Sequence, residues 1–348
     1  MTRPTALLHD DALLDQTRRL AAAAGTELDE GTDQSTLRAA WHRAPLVLLD
    51  RVAADSCAGA ALPRRPGVLL VAAGTPPACL WQLAVAIGAE RVVSLPADET
   101  WLAGAFADAT EAPARAVGRV LAVIGGRGGA GASVFAAAVA LSALDSRANA
   151  LLVDCDPTGG GLDLLLGAET DPGLRWPDLH LRAGRVPITS LHASLPGRSK
   201  GTARLTLLSA TPDAPTPSPT AALSVVDSGR RAGETVICDL PRTPDPTATA
   251  VLAHADLTVV IVPADLRATA AARNLIASLT AQGITPALVV RDPTHLRPTD
   301  IAAALSLSLL TTYRHDPRLP TRIDEGTFRP RRSLARAAKT VLHALEKT

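Results

Sequence analysis

The chain has 348 residues, more than one domain usually holds, so two domains are expected, and its 47% hydrophobic content supplies two buried cores. A formal net charge of only +1 removes whole-chain attraction to nucleic acid or to an anionic membrane. The four cysteines, Cys57, Cys79, Cys155 and Cys238, lack the paired spacing of zinc or iron–sulfur ligands, and no stretch approaches the roughly 18 apolar residues of a membrane span.

The N-terminus, M-T-R-P-T-A-L-L-H-D-D, has too short an apolar run for a signal peptide, so a cytoplasmic protein is expected. Residues 1–107 alternate short apolar runs with helical stretches. Strands are expected at Thr5–Leu8, Thr26–Leu28, Pro45–Asp50, Gly67–Ala72 and Arg91–Leu95, and helices at Ala12–Ala24, Gln34–His42 and Leu80–Gly88. Such alternation argues for a doubly wound parallel sheet. Asp10 and Asp11 follow the first strand and Asp50 ends the third. In these positions the region resembles a response-regulator receiver, a CheY-like, flavodoxin-like fold that keeps a metal-binding pair and a phosphoacceptor there. The likeness is degenerate. Ala72 or Ala73 stands where a receiver has a hydroxyl, and Leu95 precedes Pro96 where it has a lysine. Without that counter-charge Asp50 is not expected to carry a phosphoryl group, and the domain reads as a pseudo-receiver that contacts other proteins. Periodicity is then lost from Ala107 to Gly118, so a linker is expected at 108–118, between domains at 1–107 and 119–348.

The second domain opens on V-L-A-V-I-G-G-R-G-G-A-G-A-S, Val120–Ser133: an apolar strand, a glycine-rich turn and a helix start. Backbone N–H groups of such a turn, with the first turn of the helix behind it, form a phosphate cradle. The pattern G-x-x-x-x-G-K-[ST] falls on Gly126, Gly131, Ala132 and Ser133, with alanine where the lysine belongs. The loop resembles the deviant Walker A loop of the MinD/ParA family, Arg127 taking the place of its signature lysine and Ala132 that of its P-loop lysine. This implies nucleotide contacts from Gly126, Gly128, Gly129, Ala130, Gly131, Ala132 and Ser133, and magnesium on Ser133.

Further along, A-L-L-V-D-C-D (Ala150–Asp156) is a buried strand whose end carries Asp154 and Asp156, facing the phosphates if the sheet is open and parallel. It resembles the D-x-D switch of MinD/ParA proteins, which implies that Asp156 positions the attacking water and that Asp154 supports the metal. T-V-I-C-D-L-P (Thr235–Pro241) resembles a Walker B strand of the CpaE/TadZ branch, implying that Asp239 holds magnesium. Ala255–Ala272 reads as a strand, a turn at Pro263 and a helix. Ala287–Arg291 is a strand that ends in Arg291 where relatives keep an adenine-reading asparagine; Arg291 is expected to contact the nucleotide instead, by stacking its guanidinium on the purine. Helices are expected at Trp176–Ala183 and Pro187–Leu195, with a proline-rich crossover at Thr211–Thr220. The tail spaces Leu334, Ala337, Ala338, Val341, Leu342 and Leu345 on one helical stripe opposite Arg331, Arg332, Arg336 and Lys339. Such a stripe either lies on an anionic membrane or, as is commoner, packs on its own domain.

The expected fold class is therefore α/β: a receiver-like (flavodoxin-like) N-terminal domain followed by a MinD/ParA-type P-loop NTPase domain with a mostly parallel sheet. The order of parts resembles the CpaE/TadZ family, and the G-x-R-G-G-A-G-A-S loop its actinobacterial septum-site-determining members. That resemblance implies an ATP- and magnesium-binding positional regulator for a septum or a pilus-type secretion machine, acting as a nucleotide-dependent homodimer in which Arg127 reaches the partner's site. It also implies a division or secretion protein bound through the N-terminal domain and peripheral contact with the membrane. A nucleotide-free scaffold is the rival, because Ala132 and Arg291 each replace a side chain that holds ATP. A DNA-partition ATPase is disfavoured by the neutral charge, and a nitrogenase-type iron protein by the missing cysteine ligands.

Overall fold

The apolar runs of the first 95 residues pair side by side. In the computed structural model, which describes residues 3–31, 38, 41, 43–59, 62–110, 117–179, 186–211, 215–292 and 296–348, these runs are β1 (Thr5–Leu7), β2 (Asp29–Glu30), β3 (Val47–Leu49), β4 (Val68–Ala73) and β5 (Arg91–Leu95). They form a parallel sheet in the order β2-β1-β3-β4-β5. Helices α1 (Asp11–Ala23), α2 (Arg51–Gly59) and α3 (Ala78–Ile87) lie between the strands in sequence, and α4 (Glu99–Thr110) follows the last of them. Neighbouring residues of a strand face opposite ways. Val47 and Leu49 therefore pack with Ala53, Cys57, Leu80 and Ala84 on one side, and Leu48 with Leu13, Leu102 and Phe106 on the other. Burial on both faces is why these strands read as unbroken apolar runs.

Two expectations change here, and a third falls outside the described residues. The second strand lies at Asp29–Glu30 rather than Thr26–Leu28, because the Thr26 amide closes the end of α1 on Ala21 O (3.0 Å), leaving Asp29 to donate to Pro4 O. Helix α4 continues to Thr110, three residues into the stretch expected to be linker, carried by the buried i, i+4 pair Leu102 and Phe106. The expected helix at 34–42 lies outside the described residues apart from Arg38 and Trp41, and so do 111–116.

The chain divides into two units, Met1–Pro113 with Ala183–Pro187, and Ala114–Arg182 with Ile188–Thr348. In the second, the strands are β6 (Arg119–Gly125), β7 (Ala150–Asp154), β8 (Gly197–Lys200), β9 (Ala203–Leu208), β10 (Thr235–Leu240), β11 (Leu257–Pro263), β12 (Ala287–Arg291) and β13 (Leu309–Tyr313). Their order is β13-β12-β11-β6-β10-β7-β9-β8, and only the edge strand β8 runs antiparallel. Helices follow as α5 (Ala132–Asp145), α6 (Leu162–Leu166), α7 (Ile188–Ser194), α8 (Pro219–Arg231), α9 (Pro246–His254), α10 (Leu266–Ala281), α11 (Pro298–Leu305), α12 (Leu319–Asp324) and α13 (Arg332–Leu345). The expected helix from Trp176 is a single 3-10 turn, Trp176–Asp178, and 180–185 lie outside the described residues.

Helix α5 is apolar all round, and every residue from Phe135 to Leu144 is buried. One of its walls is α13, whose Leu334, Ala337, Ala338, Val341 and Leu345 are buried against α5 and β13. The terminal stripe is thus spent inside its own unit, the commoner of the two readings that its sequence allows. Burying side chains such as Leu334, Val341 and Leu345 contributes about 1.5–3 kcal/mol each, which exposure to a membrane surface would have to replace. Among the described residues, no helix is long and apolar enough to cross a membrane.

Candidate functional site

Strand β6 delivers the chain to the glycine loop at the carboxyl edge of the sheet. The Gly126 amide donates to Ile261 O (2.9 Å), tying the loop to β11. A Cβ on Gly126 would stand 2.9 Å from Ala272 Cβ and 3.0 Å from Val262 Cγ2, so only glycine fits. Gly131, at φ +95° in the left-handed region, turns the chain into α5, where the Phe135 amide donates to Gly131 O (3.0 Å). Gly128 and Gly129 are exposed, so their main chain is open to a ligand.

Beside the loop, β7 and β10 end together with Asp154 and Asp239 as register partners. Both are 2% exposed. Asp154 Oδ1 accepts from the Asp156 amide (3.1 Å), and Oδ2 from Leu162 N (3.1 Å) and Ala210 N (3.2 Å). Burial nevertheless pushes its carboxyl up to about 6, against the pull of those three amides and helped by the Asp156 charge. The Asp239 carboxyl is raised well above the usual carboxylate range, first by burial and then by Asp154, while a hydrogen bond donated by the Ser133 hydroxyl pulls it down. Ser133, Asp154 and Asp239 line one cavity of about 460 Å³. A divalent cation fits this donor set, since it would relieve two buried like charges. Among the described residues, no three His, Cys, Asp or Glu side chains are grouped to hold a metal. The protein therefore offers the Ser133 hydroxyl and the Asp239 carboxylate, and waters and phosphate oxygens would complete the shell, the usual manner of magnesium.

The other expected site residues are placed separately. Asp156 is half-buried and folds into a local turn, its Oδ1 accepting from Thr158 N (2.9 Å) and Thr158 Oγ1 (2.6 Å). Ala132 is the first residue of α5, and Ala130 is buried. Arg127 lines a third hollow and pairs with Asp265 (Nη2 to Oδ2, 3.4 Å), the N-cap of α10. Arg291 lies on the far side of the loop, its Nη1 donating to Gly129 O (3.0 Å), and it lines a cavity of about 420 Å³ with Gly131 and Tyr313.

Sequence reasoning missed Tyr313, which ends β13, stacks on Phe135 (5.5 Å between centroids) and is 4% exposed. It also missed Trp176, whose Nε1 donates to Asp154 O (2.6 Å), and the Asp163–Arg175 pair (2.9 Å) that holds the following turn. The signal for Tyr313 was the run L-L-T-T-Y, whose position at a parallel strand's carboxyl end places it at the site edge.

Residues 7–117 match the family described as Rv3660c-like, CheY-like N-terminal domain. The uncharacterized protein Rv3660c of Mycobacterium tuberculosis (strain ATCC 25618 / H37Rv) is 42% identical over 346 residues, covering 97% of this chain and 97% of its own. Among solved structures, the cell division ATPase MinD of Pyrococcus furiosus aligns with a TM-score of 0.54 at 17% identity, over 65% of this chain and 99% of that one. The septum site-determining protein MinD of Pyrococcus horikoshii OT3, complexed with Mg-ADP, gives 0.53 at 16% identity, over 66% and 96%. A ParA family ATPase of Chlorobium tepidum TLS gives 0.51 at 17%, over 67% and 93%. The fold is thus CheY-like at the N-terminus and MinD/ParA-like beyond it, α/β with a mostly parallel sheet.

Proposed function

The chain belongs to the family of Mycobacterium tuberculosis Rv3660c, and we propose that it is an ATP-binding positional regulator of the MinD/ParA type, acting in septum placement or in siting a pilus or secretion machine, with little or no hydrolysis. The observation that carries this reading is the cavity in which the loop's Ser133 meets two buried strand-end carboxylates, Asp154 and Asp239.

Main-chain donors from Gly128 to Ser133 would take the β-phosphate, and Ser133 with Asp239 would hold magnesium. Bound magnesium would neutralise charge on the phosphate oxygens. Asp154, fixed by three amides, sets the position of the segment carrying Asp156, and Asp156 orients the attacking water. Ala132 removes the cation that would neutralise the transferred phosphoryl group, so binding outlasts turnover. Arg127 acts across a nucleotide-stabilised homodimer. Its pair with Asp265 is 39% and 40% exposed, so releasing it costs at most about 1 kcal/mol. The pseudo-receiver domain, which ends with α4 at Thr110, recruits the division or secretion protein.

A titration with ATP and magnesium beside a turnover assay tests this. Binding in the micromolar to sub-millimolar range is expected, about 4 to 8 kcal/mol, with hydrolysis at or below detection. If no nucleotide binds, the scaffold reading replaces it, and Arg291 donating to the loop carbonyl Gly129 O is the observation on its side.

A further inference from the structure

The cavity on the far side of the loop has an excess of donors. It is lined by Gly131, by Tyr313 and by five arginines, Arg291, Arg314, Arg329, Arg331 and Arg332. Asp316, the lone carboxylate among the described residues of its lining, is already engaged, Oδ1 by the Arg318 amide (3.1 Å) and Oδ2 by Arg322 Nη1 (2.9 Å). Two buried donors aimed at the space have no partner, Arg291 Nε and the hydroxyl of Tyr313, a residue 4% exposed. A buried polar group left unpaired is costly, which points to a ligand atom that accepts from it. The same wall carries the start of α13, a 14-residue helix whose N-cap, Arg331, gives its first turn no side-chain cap, while the Leu334 amide donates to Arg331 O (2.8 Å). Arginines there oppose the helix dipole, an arrangement that an anion would offset.

A purine and a ribose bring no charge to five guanidinium groups. We infer that this cavity takes a phosphate group distinct from those on the glycine loop, and that the ligand is a nucleotide phosphorylated on its ribose as well as at its 5′ end. One molecule can reach both places because Gly131 belongs to the loop and to the cavity wall. The cavity's size, about 420 Å³, is that of a small-molecule site and leaves no room for a nucleic-acid duplex. The inference rests on the reading of the loop as a nucleotide site.

Calorimetry on the full chain with magnesium tests it, comparing ADP with adenosine 3′-phosphate 5′-diphosphate. The added ribose phosphate should tighten binding by about tenfold or more, the worth of one charge-assisted hydrogen bond, and the gain should shrink as salt rises. Arg329→Gln with Arg332→Gln, both at exposed positions, should erase the gain while ADP affinity stays. Tyr313→Phe, which keeps the stack on Phe135, should reduce it. If the two nucleotides bind alike, or the gain survives the double variant, the cavity is not a phosphate site and the nucleotide reading stands alone. If ADP does not bind at all, the nucleotide reading falls; pyrophosphate binding abolished by the double variant would still uphold the cavity, and its absence would overturn both.

Discussion

Two carboxylates that look alike in the sequence have opposite fates. Asp50 and Asp239 each end a buried apolar strand. Asp50 is consumed locally: its Oδ1 accepts from the Ala53 amide (2.8 Å) at the start of α2, its Oδ2 from the His9 amide, and the His9 ring Nδ1 lies 3.1 Å away. Asp10 likewise caps α1 through Ala12 N and Leu13 N. Asp239 instead shares a cavity with Ser133 of the glycine loop and has a second buried carboxylate, Asp154, beside it, and its carboxyl is pushed up. A strand-end carboxylate signals chemistry only when its neighbours leave it charge-strained and lone pairs free. In the first unit they satisfy it, so it stabilises; in the second they frustrate it, so it is available to a cation.

Changes at the two aspartates should separate accordingly. The largest effect is expected on turnover: Ala132→Lys should raise hydrolysis by about a hundredfold or more by restoring a charge aimed at the transition state, and Asp156→Ala should abolish what remains. If the natural chain already hydrolyses as fast as Ala132→Lys, another cation substitutes and this part fails. Next, Asp239→Ala should weaken magnesium-dependent ATP binding by about a hundredfold, near 2.7 kcal/mol. The free protein should melt no lower, because a buried like charge has been removed. A drop in the melting temperature without nucleotide would mean that Asp239 is structural in the manner of Asp50. Smaller still, Asp50→Ala should cost roughly 1–2 kcal/mol through the lost cap, seen in the melting of the first unit, with nucleotide affinity unchanged. Acetyl phosphate should leave no adduct on Asp50 by intact mass, since Leu95 stands where a receiver keeps its lysine. The smallest effect is expected at the terminal helix. Arg336→Gln with Lys339→Gln should move neither stability by more than about 0.5 kcal/mol nor sedimentation with anionic vesicles, because the stripe opposite them is buried. Vesicle binding lost in that variant would return the helix to the membrane.

What could be read from the chain by itself is what depends on neighbours in sequence. A strand buried on both faces must be a contiguous apolar run, so β6, β7, β10, β11 and β12 were legible within a residue or two at their ends. The glycine loop was legible because a phosphate cradle is made by consecutive backbone amides, whose spacing is the sequence itself. Polar or half-exposed edge strands escaped. G-R-S-K of β8 and L-L-T-T-Y of β13 have neither alternation nor a full apolar run, and partners supplied from other strands make them strands. Only the tertiary structure decided the fates of individual charged side chains. Asp154 is fixed by amides up to 56 positions away, Arg291 is drawn to a loop carbonyl 162 positions away, and Asp50 is satisfied by His9, 41 positions back. The free energy of a charge depends on burial and on the groups within a few ångströms, and those are set by which strands the fold makes adjacent.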